Sequence, residues 1–286
     1  MMDARPKALE AGLYLVATPI GHARDITLRA LDILAAADVL AAEDTRRARR
    51  LMQIHGVAPG NRPLIAYHDH NGRRVRPLLL AHLAAGRSVA YVSDAGTPLV
   101  ADPGYPLVRA ARDEGFAVYA APGASAVLTA LTVSGMPTDQ FHFAGFAPTA
   151  PDARLVFLTS LRDVPGTLVF YESPKRLAKL LSALVTVFGP DRPAAMCREL
   201  TKMFEDVRCA TVGGLLSQLP DLVLKGECVL LVGGGARSAP SPEVIDAALC
   251  DALLTHSLKD AVKEVSRTLE LPRRRIYQRA LELMKE

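Results

Sequence analysis

The sequence predicts an α/β protein with a mostly parallel sheet, a second sheet of mixed direction and a small helical tail. Three observations predict it. Short apolar runs alternate with helix-spaced segments from Gly12 onward, the pattern of βαβ units and a parallel sheet. Residues 205–211 instead alternate polar and apolar, as a half-exposed antiparallel strand does. The 286 residues, half of them hydrophobic, suffice for two modest domains and a small third.

The elements follow in order. Residues 13–17 read as a buried strand, 26–36 as a helix with Ile26, Ala30, Ile33, Leu34 and Ala37 on one stripe, 39–42 as a strand and 45–55 as a helix. Strands over 64–66, 88–92 and 117–120 complete a first domain, 1–121. Ala121-Pro122-Gly123 punctuates the chain. A second domain, 122–236, opens with a helix near 125–134 and carries strands over 141–143, 167–171, 194–197, 205–211 and 228–232. Residues 233–240 read as a linker by composition, since Pro240 and Pro242 follow and no Lys-Ser/Thr ending makes a phosphate loop. The tail, 241–286, holds helices over 242–254, 258–269 and 273–285. A tight break at Glu270-Leu271-Pro272 leads into Arg273, Arg274 and Arg275 in the first turn of the last helix. That arrangement matches helix-turn-helix geometry, and helix N-termini favour anions.

Composition narrows the function classes. No run of about 18 uncharged apolar residues is present, and residues 1–10 are charged without an apolar signal core, so the expectation is a cytoplasmic protein with no membrane span. The four cysteines are widely spaced, with no Cys-x-x-Cys pair; they read as small buried apolar residues rather than as a zinc site or a disulfide framework. A net charge of +4 does not by itself identify a nucleic-acid binder. The arginines are clustered, however: Arg46, Arg47, Arg49 and Arg50, then Arg73, Arg74 and Arg76, then the three at 273–275. Solvated helix faces and a polyanion-facing surface both fit such clusters.

Polar and glycine-containing turns follow the strand-like runs. They include Thr18-Pro19-Ile20-Gly21, Ala42-Glu43-Asp44-Thr45-Arg46, Tyr67-His68-Asp69-His70-Asn71, Ser93-Asp94-Ala95-Gly96-Thr97-Pro98, Pro122-Gly123-Ala124-Ser125, Tyr171-Glu172-Ser173-Pro174 and Arg198-Glu199-Leu200-Thr201-Lys202. In open α/β sheets ligands sit outside the carboxyl ends of strands, so these turns point to one shared pocket. No Gly-x-Gly-x-x-Gly follows the first strand, which argues against a dinucleotide site. In Thr18-Pro19-Ile20-Gly21 the proline fixes φ and the glycine allows a sharp bend. Gly96 lets backbone approach a ligand closely, while Asp94 can accept hydrogen bonds from it or cap a turn. His68 and His70 have no further His or Cys group placed nearby, so loop contacts to a phosphate or hydrogen bonds ordering the cleft are a better reading than a metal.

In this order the motifs resemble those of the small-subunit 16S rRNA (cytidine-2′-O)-methyltransferases, a family of the tetrapyrrole methylase superfamily. The resemblance covers residues 12–235 strongly and the tail moderately. It implies two α/β domains with S-adenosylmethionine bent into the cleft between them, no metal, a homodimer, and methyl transfer to the ribose 2′-oxygen of a decoding-region cytidine in 16S rRNA. By the resemblance Asp94 and Thr97 line the donor pocket with Ser125 and Ala126, and Pro19, Ile20 and Gly96 stand beside them. Tyr171 can stack on adenine or pack locally, and Leu200 and Thr201 are weaker pocket candidates.

Alignment of oxygen, carbon and sulfur dominates methyl transfer. A base, or a cation beside the developing alkoxide, would assist it. Glu172, Asp44 and Lys202 are the candidates, Lys202 better as a stabiliser or phosphate contact than as a base. Arg46 and Arg273–Arg275 are the candidate RNA contacts, and the 30S subunit is the expected substrate. Two other readings remain: a tetrapyrrole C-methyltransferase on the same fold, and a non-catalytic RNA-binding or assembly protein.

Overall fold

A computed structural model describes residues 8–221, 225–234, 242–269 and 271–283. The chain divides into two compact units, Met1–Leu161 with Gly166–Gly233, and Arg162–Pro165 with Gly234–Glu286. Both sheets lie in the first unit.

The first sheet contains β1 (Gly12–Val16), β2 (Val39–Ala42), β3 (Leu64–Ala66), β4 (Ser88–Val92) and β5 (Val118–Ala121). It is parallel throughout, in the order β3-β2-β4-β1-β5. Side chains alternate between its faces. Tyr14, Leu40, Ala90 and Val92 pack with Ile33 and Leu34 of α1 (Leu28–Ala36) and Met52 of α2 (Thr45–Ile54). Leu13, Val39, Val89 and Tyr91 pack on the other face with Leu79 of α3 (Gly72–Ala84) and Leu107 of α4 (Tyr105–Asp113). Near-continuous apolar strands are the signature of a sheet covered on both faces.

The second sheet contains β6 (Phe141–Phe146), β7 (Thr167–Glu172), β8 (Pro193–Arg198), β9 (Asp206–Thr211) and β10 (Cys228–Val232), ordered β6-β7-β10-β8-β9. Only the β6–β7 pair is parallel. The helices are α5 (Ala126–Val133), α6 (Pro151–Ser160), α7 (Pro174–Phe188) and α8 (Val212–Gln218). Val127, Ala130 and Leu131 of α5 are buried against Val169, Ala195, Val229 and Leu231.

The second unit is α9 (Pro242–Leu253), α10 (Leu258–Thr268) and α11 (Arg273–Leu283) around Ile245, Leu249, Val265 and Ile276. Arg279 clasps Asp246 through two 2.7 Å hydrogen bonds that tie α11 to α9. Arg273, Arg274 and Arg275 are exposed in the first turn of α11.

Some boundaries move. The first helix starts at Leu28 rather than residue 26, because Thr27 Oγ1 accepts from the Ala30 N–H and caps it. Strand β6 runs on to Phe146 across an irregularity between Phe143 and Gly145. The reading of all four cysteines as buried is corrected: Cys197 and Cys228 are buried, but Cys209 on edge strand β9 and Cys250 on α9 are exposed. Of the expected linker, residues 235–240 lie outside the described residues.

Candidate active site

The loops leaving β1 and β4, adjacent strands at the centre of the first sheet, are laced together. Thr18 and Gly96 exchange backbone hydrogen bonds of 2.9 and 3.0 Å. Ser93 Oγ donates to the Gly96 carbonyl at 2.9 Å. Gly96 has φ +78°, and a Cβ there would stand 3.3 Å from Ile20 Cγ2. Thr97 Oγ1 donates to the Ala124 carbonyl at 3.0 Å and so ties in the turn after β5. Together with the ends of β6 and β7 and the start of β10, these loops enclose a cavity of about 340 Å³. That size suits a small organic ligand.

The first sheet contributes Ile20, Asp94, Gly96 and Thr97 to the cavity wall. Ser125 and Ala126 line it at the start of α5, and Tyr171 and Glu172 line it from β7. Pro19 instead lines a neighbouring cavity of about 220 Å³, which also takes Arg47 and Arg50. Leu200 and Lys202 border a void of about 30 Å³. Thr201, Asp44 and Arg46 line none of these three.

The three expected catalytic residues stand in different surroundings. Asp44 is the N-cap of α2 and accepts from the Arg46 N–H at 2.8 Å. The Arg46 side chain, then that N–H, hold its carboxyl well below the usual range. Lys202 Nζ donates at 2.9 Å to both Glu199 and Glu227. Burial alone would lower its pKa, but the two carboxylates outweigh burial and raise it, so it is a locked cation. Glu172 does reach the cavity. It is buried, accepts from the Ser173 N–H at 2.8 Å and faces Arg176 Nε at 3.2 Å. Its Oε2 is buried and has no hydrogen-bond partner among the described residues. Thr201 Oγ1 accepts from the His22 N–H at 3.1 Å. In the His68–Asn71 turn, the Asn71 side chain bonds the His68 N–H and the Ala66 carbonyl.

Several wall residues escaped the sequence reading: Glu43, Arg47, Asp102, Phe146 and the start of β10. Burial raises the pKa of Glu43, helped by Asp94. Burial, then Glu43 and Asp94, push Asp102 up to about 7. Burial, then Asp102, push Tyr171 up to about 12. Asp94 accepts from the Asp44 N–H at 3.0 Å and pairs with Arg47 at 3.3 Å. Glu43 had a signal, since it sits in a motif already singled out, but the helix-capping pattern drew attention to Asp44. Among the described residues no group of three His, Cys, Asp or Glu is disposed to hold a metal ion. Among them, too, no helix is long and apolar enough to cross a membrane.

A sulfonium donor carrying an adenosine fits this lining. The acidic wall suits a cation, the Tyr171 ring offers a stacking face, and the spare Glu172 oxygen can accept from an N–H or O–H.

Comparison with known proteins agrees in family and fold. Residues 12–216 match the tetrapyrrole (corrin/porphyrin) methylases, and residues 238–284 match the RsmI C-terminal HTH domain. A protein of Mesorhizobium japonicum named Ribosomal RNA small subunit methyltransferase I is 48% identical over 99% of this chain and 95% of its own. One of the same name from Micromonospora olivasterospora is 42% identical over 96% and 89%. The solved uroporphyrin-III C-methyltransferase of Thermus thermophilus, in complex with S-adenosylhomocysteine, superposes with a TM-score of 0.55 at 21% identity, covering 78% of this chain and 97% of that one.

Proposed function

The chain belongs to the tetrapyrrole methylase family and, within it, to the small-subunit rRNA methyltransferases, and from that premise we propose its specific reaction. It is an S-adenosylmethionine-dependent methyltransferase of small-subunit rRNA. It methylates the ribose 2′-oxygen of a cytidine in the decoding region of 16S rRNA, acting in the cytoplasm on the assembled 30S subunit and as a homodimer.

The observation that carries the reading is the single cavity into which Asp94, Ser125 and Tyr171, distant in sequence, all project. When bound, the donor supplies an electrophilic methyl group; the protein's part is alignment, exclusion of water and handling of a proton. The Gly96 turn brings backbone to the ligand, Tyr171 offers its ring, and Asp94, Glu43 and Asp102 favour a cationic guest. Arg47 and Arg50, lining the neighbouring cavity, suit a phosphate of the strand carrying the target ribose. Exposed Arg46 and Arg273–Arg275 supply further phosphate contacts.

The test is a map of ribose methylation in ribosomal RNA from cells with and without the gene. It is paired with labelled-donor assays on 30S subunits, protein-free 16S rRNA and a uroporphyrin-like acid. One cytidine should lose its 2′-O-methyl group without the gene, and 30S subunits should be the best acceptor. Label appearing in the porphyrin acid would establish the tetrapyrrole C-methyltransferase instead. RNA binding without any heat of donor binding would establish a non-catalytic binder.

A further inference from the structure

We propose that Asp102 is the general base of the transfer, the carboxylate that removes the proton of the ribose 2′-hydroxyl. The inference rests on the reading above and assigns a chemical role in it to a residue that no motif marked.

A sugar hydroxyl is a weak acid, so its proton must leave as the oxygen–carbon bond forms. The other acidic and basic candidates are engaged. Asp44 caps a helix and holds Arg46. Lys202 is clamped between two carboxylates. Glu172 is ion-paired with the Arg176 guanidinium, and its spare oxygen is the acceptor already assigned to the donor's N–H or O–H. Asp94 accepts from the Asp44 N–H and pairs with Arg47, and Glu43 lines the cavity beside that pair. Asp102 lines the same cavity, and among the described residues it has neither a hydrogen bond nor an ion pair to its carboxylate.

The loop that carries Asp102 is held in a conformation it would not keep by itself. Leu99 and Ala101 adopt φ of 72° and 57°, the left-handed region that costs a non-glycine residue energy and recurs at functional sites. Val100, between them, packs into the apolar cluster of the second sheet. On the far side, Tyr91 Oη donates to the Pro103 carbonyl at 2.9 Å. A Cβ on Gly104, which has φ +125°, would come within 2.8 Å of the Tyr91 ring. The loop is thus pinned on both sides of Asp102, as a group that must meet a substrate atom requires.

The electrostatics fit the role. Glu43 after β2, Asp94 after β4, Tyr171 in β7 and Arg47 of α2 line the same cavity as Asp102, and Tyr91 of β4 bonds the neighbouring Pro103 carbonyl. Burial and the two carboxylates bring it to about 7, where a base is both ionised and able to take a proton at neutral pH. In the step, the 2′-oxygen forms a bond to the methyl carbon while the carbon–sulfur bond breaks, its electron pair staying on sulfur. The hydroxyl proton passes to Asp102. A carboxylate and a sulfonium become a carboxylic acid and a thioether, so opposite charges cancel in the step.

The test uses the full-length protein, S-adenosylmethionine and unmethylated 30S subunits. Calorimetry of donor binding at pH 7, in two buffers of different ionisation enthalpy, should show wild type releasing a fraction of a proton, because a cationic guest favours the Asp102 carboxylate. Asp102→Asn should bind the donor within a few-fold of wild type and release none. Its single-turnover methylation rate should fall by about 10²–10⁴-fold. In wild type, kcat/KM for the donor should rise with pH through about 7. Glu43→Gln should move that limb to lower pH by removing a repulsive charge. Should Asp102→Asn fold poorly, Asp102→Ala replaces it with the same expectations. Either variant retaining a rate within threefold of wild type, or the same acid limb, overturns the assignment. A wild type that gives no heat with the donor overturns the methyltransferase reading itself.

Discussion

The two walls of the cavity solve the placement of charge in opposite ways. On the wall from the first sheet, Glu43, Asp94 and Asp102 face one another with Arg47 as the nearby cation, and the pKa values of Glu43 and Asp102 rise. On the wall from the second sheet, Glu172 is matched by Arg176, and Phe146 and Tyr171 meet edge to face at 5.7 Å. Matched charge and packed rings make a frame. Unmatched charge is held against its own preference, and it is where chemistry is found.

The sharpest way to break this contrast is to unmatch the second wall. Arg176→Met would leave Glu172, whose side chain is only 1% exposed, as a buried charge without its cation. Losing one partner of such a pair costs about 3–5 kcal/mol. The thermal midpoint should fall by roughly 10 °C for a unit of this size, and the double variant Glu172→Gln/Arg176→Met should recover most of it. A melting curve for Arg176→Met that overlays wild type would show that the frame does not depend on the pairing.

The contrast also explains what was legible in the sequence. Strands β2 and β10 start and stop where apolar runs do, because a strand buried on both faces writes its limits directly into the chain. The turns after β1, β4, β5 and β7 were legible as glycine, proline and polar clusters, and all four supply the cavity wall. Asp102 was not legible. Its isolation is created by Glu43 and Asp94, brought from two other strand ends, and by a loop bent around Tyr91. Nor does local pattern show which of the adjacent acids Glu43 and Asp44 enters a cavity. One ends in the pocket and the other caps α2, a choice that strand register and the direction of the helix make together.

A smaller effect should follow from disturbing the seam where the loops behind the two walls touch. A Cβ on Gly21 would lie 2.5 Å from Lys202 Cγ, 2.6 Å from Thr201 Oγ1 and 2.9 Å from the Leu200 carbonyl. The lysine can swing aside, but the carbonyl cannot, and Glu199 and Thr201 already sit at φ of 51° and 62°. Overpacking of this kind costs about 1–3 kcal/mol. Part of that should appear as roughly tenfold weaker donor binding for Gly21→Ala in calorimetry. An unchanged dissociation constant would mean that the seam does not set the spacing of the walls.

The smallest effect sharpens the comparison most, because it has the opposite sign. If the acidic wall is kept at the expense of stability, removing one of its charges should stabilise the fold. Asp102 ionises near 7 in the folded chain against an ordinary 3.8. A raised carboxyl contributes fully to stability below its unfolded value, and that contribution is lost as pH rises through the folded value. Wild type therefore gives up stability between about pH 4 and 7, while an asparagine at 102 has no proton to lose. Allowing for the water that reaches this half-buried group, the difference is about 1 kcal/mol. Asp102→Asn should melt a few degrees above wild type at pH 8 and together with it at pH 4, while losing methyl transfer at both. A variant less stable than wild type at pH 8 would mean that Asp102 is held by attractive contacts, and that the two walls are built on the same principle.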